Sequence, residues 1–141
     1  MALINKPKSV GNWRQAGGAV DVTVTMEGTG SATAYIIGNQ IIVDCAAAEV
    51  SKWVGLTIPF DLILTDQRNH LDGTTSSTVL AYNNTSQIMT VAATGTTEGA
   101  IKRATVCDTT YWAFSKGDTD LYLEVTTGAF TGVVVLDFLA T

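Results

Sequence analysis

From residue 20 to residue 27 apolar and polar side chains alternate one for one, with Val20, Val22, Val24 and Met26 set against Asp21, Thr23, Thr25 and Glu27. A period of two places the first set on a buried face of a strand and the second toward solvent. Gly28-Thr29-Gly30 breaks the pattern, and an extended run resumes over 32–37. Gly38-Asn39 then reads as a two-residue turn folding that run onto 40–45, because both residues tolerate the positive φ of a tight hairpin. Further strands are expected at 60–65, 77–82, 87–92, 101–107, 110–115, 121–126 and 130–139. Asn83-Asn84-Thr85-Ser86 and the polar stretch 115–120 supply turns between neighbours. About ten short strands at spacings of roughly 8 to 12 residues predict an all-β, single-domain β-sandwich or jelly roll. The one helix candidate is 44–55, with Asp44 as cap, Ala46, Ala47 and Ala48 as helix formers, Val50, Trp53 and Val54 on one face, and Gly55 at the end. Residues 1–17 show little periodicity. They predict an extended arm, anchored by Leu3, Ile4, Val10 and Trp13, ahead of a sandwich domain over 18–141.

Composition narrows the function. The chain has 141 residues, of which 46% are hydrophobic and only 15% charged, against about 25% charged in an average soluble domain. A net charge of -5 disfavours a nucleic-acid partner, since neutralising phosphates takes clustered Lys and Arg. The longest strongly apolar run, 132–140, is interrupted by Asp137 and falls short of the roughly 20 residues of a spanning helix, so no membrane is expected. Two lysines and a proline near the start occupy the place of a secretory signal's apolar stretch. The expected setting is therefore cytoplasmic, in a cell or in a host cell making a particle. Cys45 and Cys107 are too few for a disulfide framework and are expected to be free and buried, as small apolar side chains.

Candidate chemistry is thin. His70, the single histidine, sits in Asp66-Gln67-Arg68-Asn69-His70-Leu71-Asp72-Gly73. Oriented by Asp66 or Asp72 it would make a base. The cluster of Gln, Asn, Asp and Gly reads instead as a polar loop. No Gly-x-Ser-x-Gly elbow is present, and one histidine with two separated cysteines does not make a usual zinc site. Asp66 with Asp72, and Asp118 with Asp120 and Glu124, lack the spacing of a calcium loop and read as solvated turns. Gly28-x-Gly30 and Gly95-x-x-x-Gly99 lack the lysine and the strand-to-helix setting of phosphate loops. No enzyme activity, metal or cofactor is expected. Trp112 reads as core within Tyr111-Trp112-Ala113-Phe114. Trp13 lies in a segment without a strand pattern, suited equally to docking on another protein and to packing back on its own domain.

With so few charges, solvent-facing strand positions fall to Thr, Ala, Gly and Ser, and the mean hydropathy is +0.24. Such a surface sheds water readily and is expected to be covered in a symmetric assembly. The short polar arm (Met1-Ala-Leu-Ile-Asn-Lys-Pro-Lys), the Thr/Ala/Gly-rich β body and the apolar last strand together resemble tailed-bacteriophage capsid decoration, or cement, proteins of the jelly-roll type. That resemblance implies a structural virion protein on the outside of an icosahedral capsid, assembled in the host cytoplasm. Its implied partners are the major capsid protein and further copies of itself, a homotrimer before a dimer. The arm residues Leu3, Ile4, Lys6, Pro7, Val10, Trp13 and Arg14 are the candidate interface. Two other readings stay open. One is a carbohydrate-binding β-sandwich module built on Trp112 or Trp53 with Asp108 or Asn84; the other is a phage tail or head-completion subunit.

Overall fold

The computed structural model describes residues 20–92 and 94–141. The expected arm, with Leu3, Ile4, Lys6, Pro7, Val10, Trp13 and Arg14, lies outside the described residues. Thirteen strands carry the rest: β1 (Val20–Val22), β2 (Val24–Met26), β3 (Ser31–Ile37), β4 (Gln40–Ala48), β5 (Trp53–Leu56), β6 (Leu62–Leu71), β7 (Thr78–Asn83), β8 (Ser86–Gln87), β9 (Met89–Val91), β10 (Ile101–Cys107), β11 (Ala113–Phe114), β12 (Leu121–Thr126) and β13 (Phe130–Ala140). They form two antiparallel sheets. The larger runs β1-β3-β4-β13-β6-β10-β9, with β11 also pairing β6, and the smaller runs β2-β5-β12-β7-β8. The all-β sandwich is as the alternation predicts.

Strand alternation builds the core between the sheets. Ile41 and Val43 of β4, Leu62 and Leu64 of β6, and Val134, Leu136 and Phe138 of β13 point in from the larger sheet. Val54 and Leu56 of β5, Leu121 and Leu123 of β12, and Val79 and Ala81 of β7 meet them from the smaller one. Each such Val, Ile, Leu or Phe side chain contributes about 1.5–3 kcal/mol by leaving water. β13, the apolar C-terminal run, is held on both edges by β4 and β6, which removes the aggregation risk of an open apolar edge.

At two corners the chain passes from one sheet to the other within a continuous extended run. The alternating segment 20–27 is two strands rather than one. β1 pairs β3 in the larger sheet and β2 pairs β5 in the smaller, and the Thr23 carbonyl between them accepts the Thr57 N–H at 3.0 Å. At the second corner the Ile88 N–H donates to Ala81 O at 2.8 Å on the smaller sheet. The Ile88 carbonyl accepts the Asp108 N–H at 2.7 Å on the side of the larger. Near this corner the buried amides of Gln67 and Asn69 both donate to the Val79 carbonyl, at 2.7 and 2.9 Å, and so stitch β6 to β7 across the sandwich. Both side chains are fully buried, and these bonds offset the cost of burying their amide nitrogens, while Gln67 Oε1 finds no partner among the described residues.

Two expectations are corrected. The helix over 44–55 does not form: among the described residues there is no helix, and that stretch is the end of β4, a turn, and most of β5. A ten-residue helix gains little from propensity alone. The extended conformation instead lets β4 pair with β3 and β13 together. Ala47 takes φ 52° at a bulge, where the Thr131 hydroxyl accepts its N–H at 2.9 Å. The polar loop over 66–73 is also replaced, because residues 66–71 continue β6. Gln67 and Asn69 occupy inward positions, so the strand carries amides where the alternation rule looks for aliphatics.

Candidate interaction surfaces

The outer face of the larger sheet is the first candidate. Register places Tyr35, Ile42, Val135, Arg68 and Arg103 side by side across five strands, from β3 through β4, β13 and β6 to β10. The next row holds Asp44, Val133, His70 and Ile101. Ion pairs lie among these apolar groups: Arg103 Nε to Asp66 Oδ2 at 2.6 Å, and Arg68 Nη1 to Asp137 Oδ2 at 3.5 Å. Gln40 Nε2 donates to Asp137 Oδ1 at 3.0 Å. Toward the rim of this face Ile37 (48%), Leu139 (54%), Ile101 (56%) and Val106 (58%) stand largely in solvent. These are four of the seven large apolar side chains that the described residues expose.

The second candidate is a cleft of about 350 Å³ on the outer face of the smaller sheet, lined by Thr25, Met26, Glu27, Trp53, Gly55, Asn84, Thr85 and Tyr122. Gly55 lies between Thr25 and Tyr122 in register and gives the cleft a floor without a side chain. A Cβ there would stand 3.3 Å from the Tyr122 ring. Trp53 packs edge-on against Tyr82 (ring centroids 5.6 Å, 80°) and Tyr122 (5.4 Å, 67°). Such pairs contribute about 0.5–1.5 kcal/mol each beyond their buried area and fix the rings in place. Burial pushes the Tyr82 hydroxyl above its usual pKa, helped by the charge and hydrogen bond of Glu124. Asn84 holds φ 57° in the turn between β7 and β8, anchored by its N–H to Asp120 O at 2.7 Å.

The remaining singled-out residues scatter. His70 lies within β6, facing outward between Val133 and Ile101, and its Nε2 is buried without a hydrogen-bond partner among the described residues. Asp66, one of its expected orienting groups, is taken up by Arg103 and by the Gln67 N–H at 2.8 Å. Cys45 and Cys107 are free. Burial, then the neighbouring Asp44 charge, pushes the Cys45 thiol up to about 12. Cys107 is only half-buried, and desolvation followed by Asp108 and Asp66 raises its thiol. Trp112 is half-buried against the core, as expected. Of the aromatic residues Trp112 and Trp53 and the polar residues Asp108 and Asn84, the structure brings Trp53 and Asn84 to one cleft. Tyr122, Gly55 and Thr25 join them through strand register, for which the sequence held no signal beyond the alternation itself. Compared with protein-family models, curated proteins and solved structures, the chain gives no match.

Proposed function

We propose that this protein is a structural virion subunit that binds the outside of an icosahedral phage capsid and cements neighbouring major capsid proteins, without catalysis. The observation that supports the reading is that Ile37, Leu139, Ile101 and Val106 stand exposed around the rim of one face of the larger sheet, in a chain with only 15% charged residues. Exposed apolar surface bordered by polar residues marks contacts with other proteins. The Arg68–Asp137 and Arg103–Asp66 pairs among them would set register more than affinity. The jelly-roll connectivity and the trimeric state belong to the same reading, as does a capsid-docking role for Leu3, Ile4, Lys6, Pro7, Val10, Trp13 and Arg14. A shared contact of about 1,600 Å² per pair, repeated over many copies, would spread strain from one capsid contact to several.

The test joins light scattering of the purified full chain to co-sedimentation with empty shells of the source virus. The expected result is a homo-oligomer, a trimer, that pellets with shells. Ile101→Glu together with Val106→Glu, which burdens the face with two unpaired charges, should weaken association at least tenfold, the equivalent of about 1.4 kcal/mol. Removal of residues 1–14 should leave a folded oligomer that no longer pellets. A lone monomer at high concentration that leaves shells undecorated overturns the proposal.

A further inference from the structure

We infer that the cleft over Gly55 is a binding site for a neutral saccharide, with the Trp53 and Tyr122 rings as its apolar walls and Asn84, Thr85, Thr25 and Glu27 as its hydrogen-bonding rim. The inference goes beyond the capsid reading and does not depend on it.

Three observations converge. The first is preorganised apolar surface: Trp53 is half-buried, held by edge contacts to Tyr82 and Tyr122, and still lines the cleft. An aromatic fixed before the ligand arrives loses little entropy on binding. The second is shape. Gly55 carries no side chain where every other outward position of β5 and β12 has one; the residue is itself buried, and the Tyr122 ring leans over it to make a wall of the cleft beside Thr25 and Trp53. A Cβ at Gly55 would crowd both the Tyr122 ring at 3.3 Å and the Thr25 carbonyl at 3.4 Å.

The third observation is the chemistry of the rim. It offers one carboxamide, two hydroxyls and one carboxylate, and no Lys or Arg is among the lining residues. A pyranose has this mixed character: a face of C–H groups that lies on an aromatic ring, and hydroxyls around its edge that both donate and accept. Small-ligand sites combine a mostly apolar lining with a few placed polar groups in the same way, and about 350 Å³ falls at the lower end of their range. That size admits a short stretch of a glycan rather than a bulky cofactor. Anionic ligands are disfavoured. A phosphate, sulfate or sialic acid carboxylate would meet Glu27 at the rim and Glu124 beside Trp53, with no cation among the lining residues to neutralise it.

The experiment uses the full chain, fluorescently labelled, on a printed array of neutral, sialylated and phosphorylated glycans. Titration of the best neutral oligosaccharide follows by calorimetry and tryptophan fluorescence, with a proline-rich peptide run alongside as the other ligand that stacks on aromatic grooves. Expected are binding to neutral glycans, a shift in tryptophan emission on titration, and little response to the charged glycans or the peptide. Asn84→Gly keeps the left-handed turn, because glycine accepts φ 57°, and removes the amide; it should weaken binding at least tenfold. Trp53→Ala should abolish it. If Trp53→Ala melts at a much lower temperature, Asn84→Gly alone decides. The inference is overturned if no neutral glycan binds, if the peptide or the charged glycans bind in preference, or if binding is unchanged in Asn84→Gly.

Discussion

Glu49 accepts the Thr29 N–H at 2.9 Å and the Thr29 hydroxyl at 3.2 Å, closing the Gly28-Thr29-Gly30 turn from twenty residues away. These two hydrogen bonds, with a smaller pull from the Lys52 charge, hold the Glu49 carboxyl below its ordinary 4.5. A carboxyl whose folded pKa is depressed contributes stability that is complete above its unfolded value and is lost as the pH falls through the folded one. The Thr29 amide should therefore lose protection in NMR hydrogen exchange on acidification below about pH 4. In Glu49→Gln, which carries no titrating carboxyl, the extra loss should disappear. An identical acid response in both proteins would show that Glu49 does not hold this turn. At the residue scale the sequence is legible where chemistry is local: Gly28-Thr29-Gly30 reads as a turn and Cys45 as a buried free thiol. That Glu49 closes the turn is not legible, because it depends on β3 pairing with β4, after which Ala47 and Glu49 lie beside Gly30 and Gly28.

At the scale of elements, Gly132 decides how β13 fits between its neighbours. It pairs with Cys45 on one side and Leu71 on the other, at the bulge where β13 shifts register against β4. A Cβ there would lie 2.1 Å from the His70 carbonyl, 2.9 Å from the Phe130 ring and 3.1 Å from the Asp72 nitrogen. None of the backbone can give way without parting β13 from β6. Gly132→Ala should cost about 3 kcal/mol, at the upper end for overpacking, and lower the melting temperature by roughly 10 °C. Across the same bulge Ala47, at φ 52°, holds a conformation that costs a non-glycine residue roughly 1–2 kcal/mol. Ala47→Gly should therefore leave the protein at least as stable by thermal melt, even though it weakens the helix propensity that Ala46–Ala48 advertise. A large destabilisation would mean the helical reading of this segment describes the protein better than β4 does. In 44–48 three alanines after an aspartate outweigh any local strand signal. The preference lost to pairing with Ser31–Ile37 and Phe130–Ala140, partners that local periodicity does not reveal. The β6 segment lacks the aliphatic alternation for the converse reason, since Gln67 and Asn69 face inward and donate to the Val79 carbonyl.

On the scale of the molecule, the sandwich sets its two candidate surfaces back to back. The exposed Ile37, Leu139, Ile101 and Val106 project from the larger sheet, and the Gly55 cleft opens on the outer face of the smaller one. Between them lies a core about 10 Å thick in which Val134, Leu136, Leu121 and Leu123 are fully buried. The class of fold and its single core follow from alternation alone. The opposition of the two surfaces follows from which strands join which sheet, and that in turn rests on the corners at Thr23 and Ile88. Sites separated by a close-packed core and sharing no side chain behave additively. The charged face variant, Ile101→Glu with Val106→Glu, should thus disperse the oligomer by light scattering while keeping wild-type glycan affinity by calorimetry. Asn84→Gly should do the reverse, losing glycan binding and sedimenting as the intact assembly. The combined variant should show both losses, each equal to its value alone. If dispersing the oligomer also abolished glycan binding, the cleft would have to be completed by a neighbouring copy, and the larger sheet's outer face could not be the sole contact between subunits.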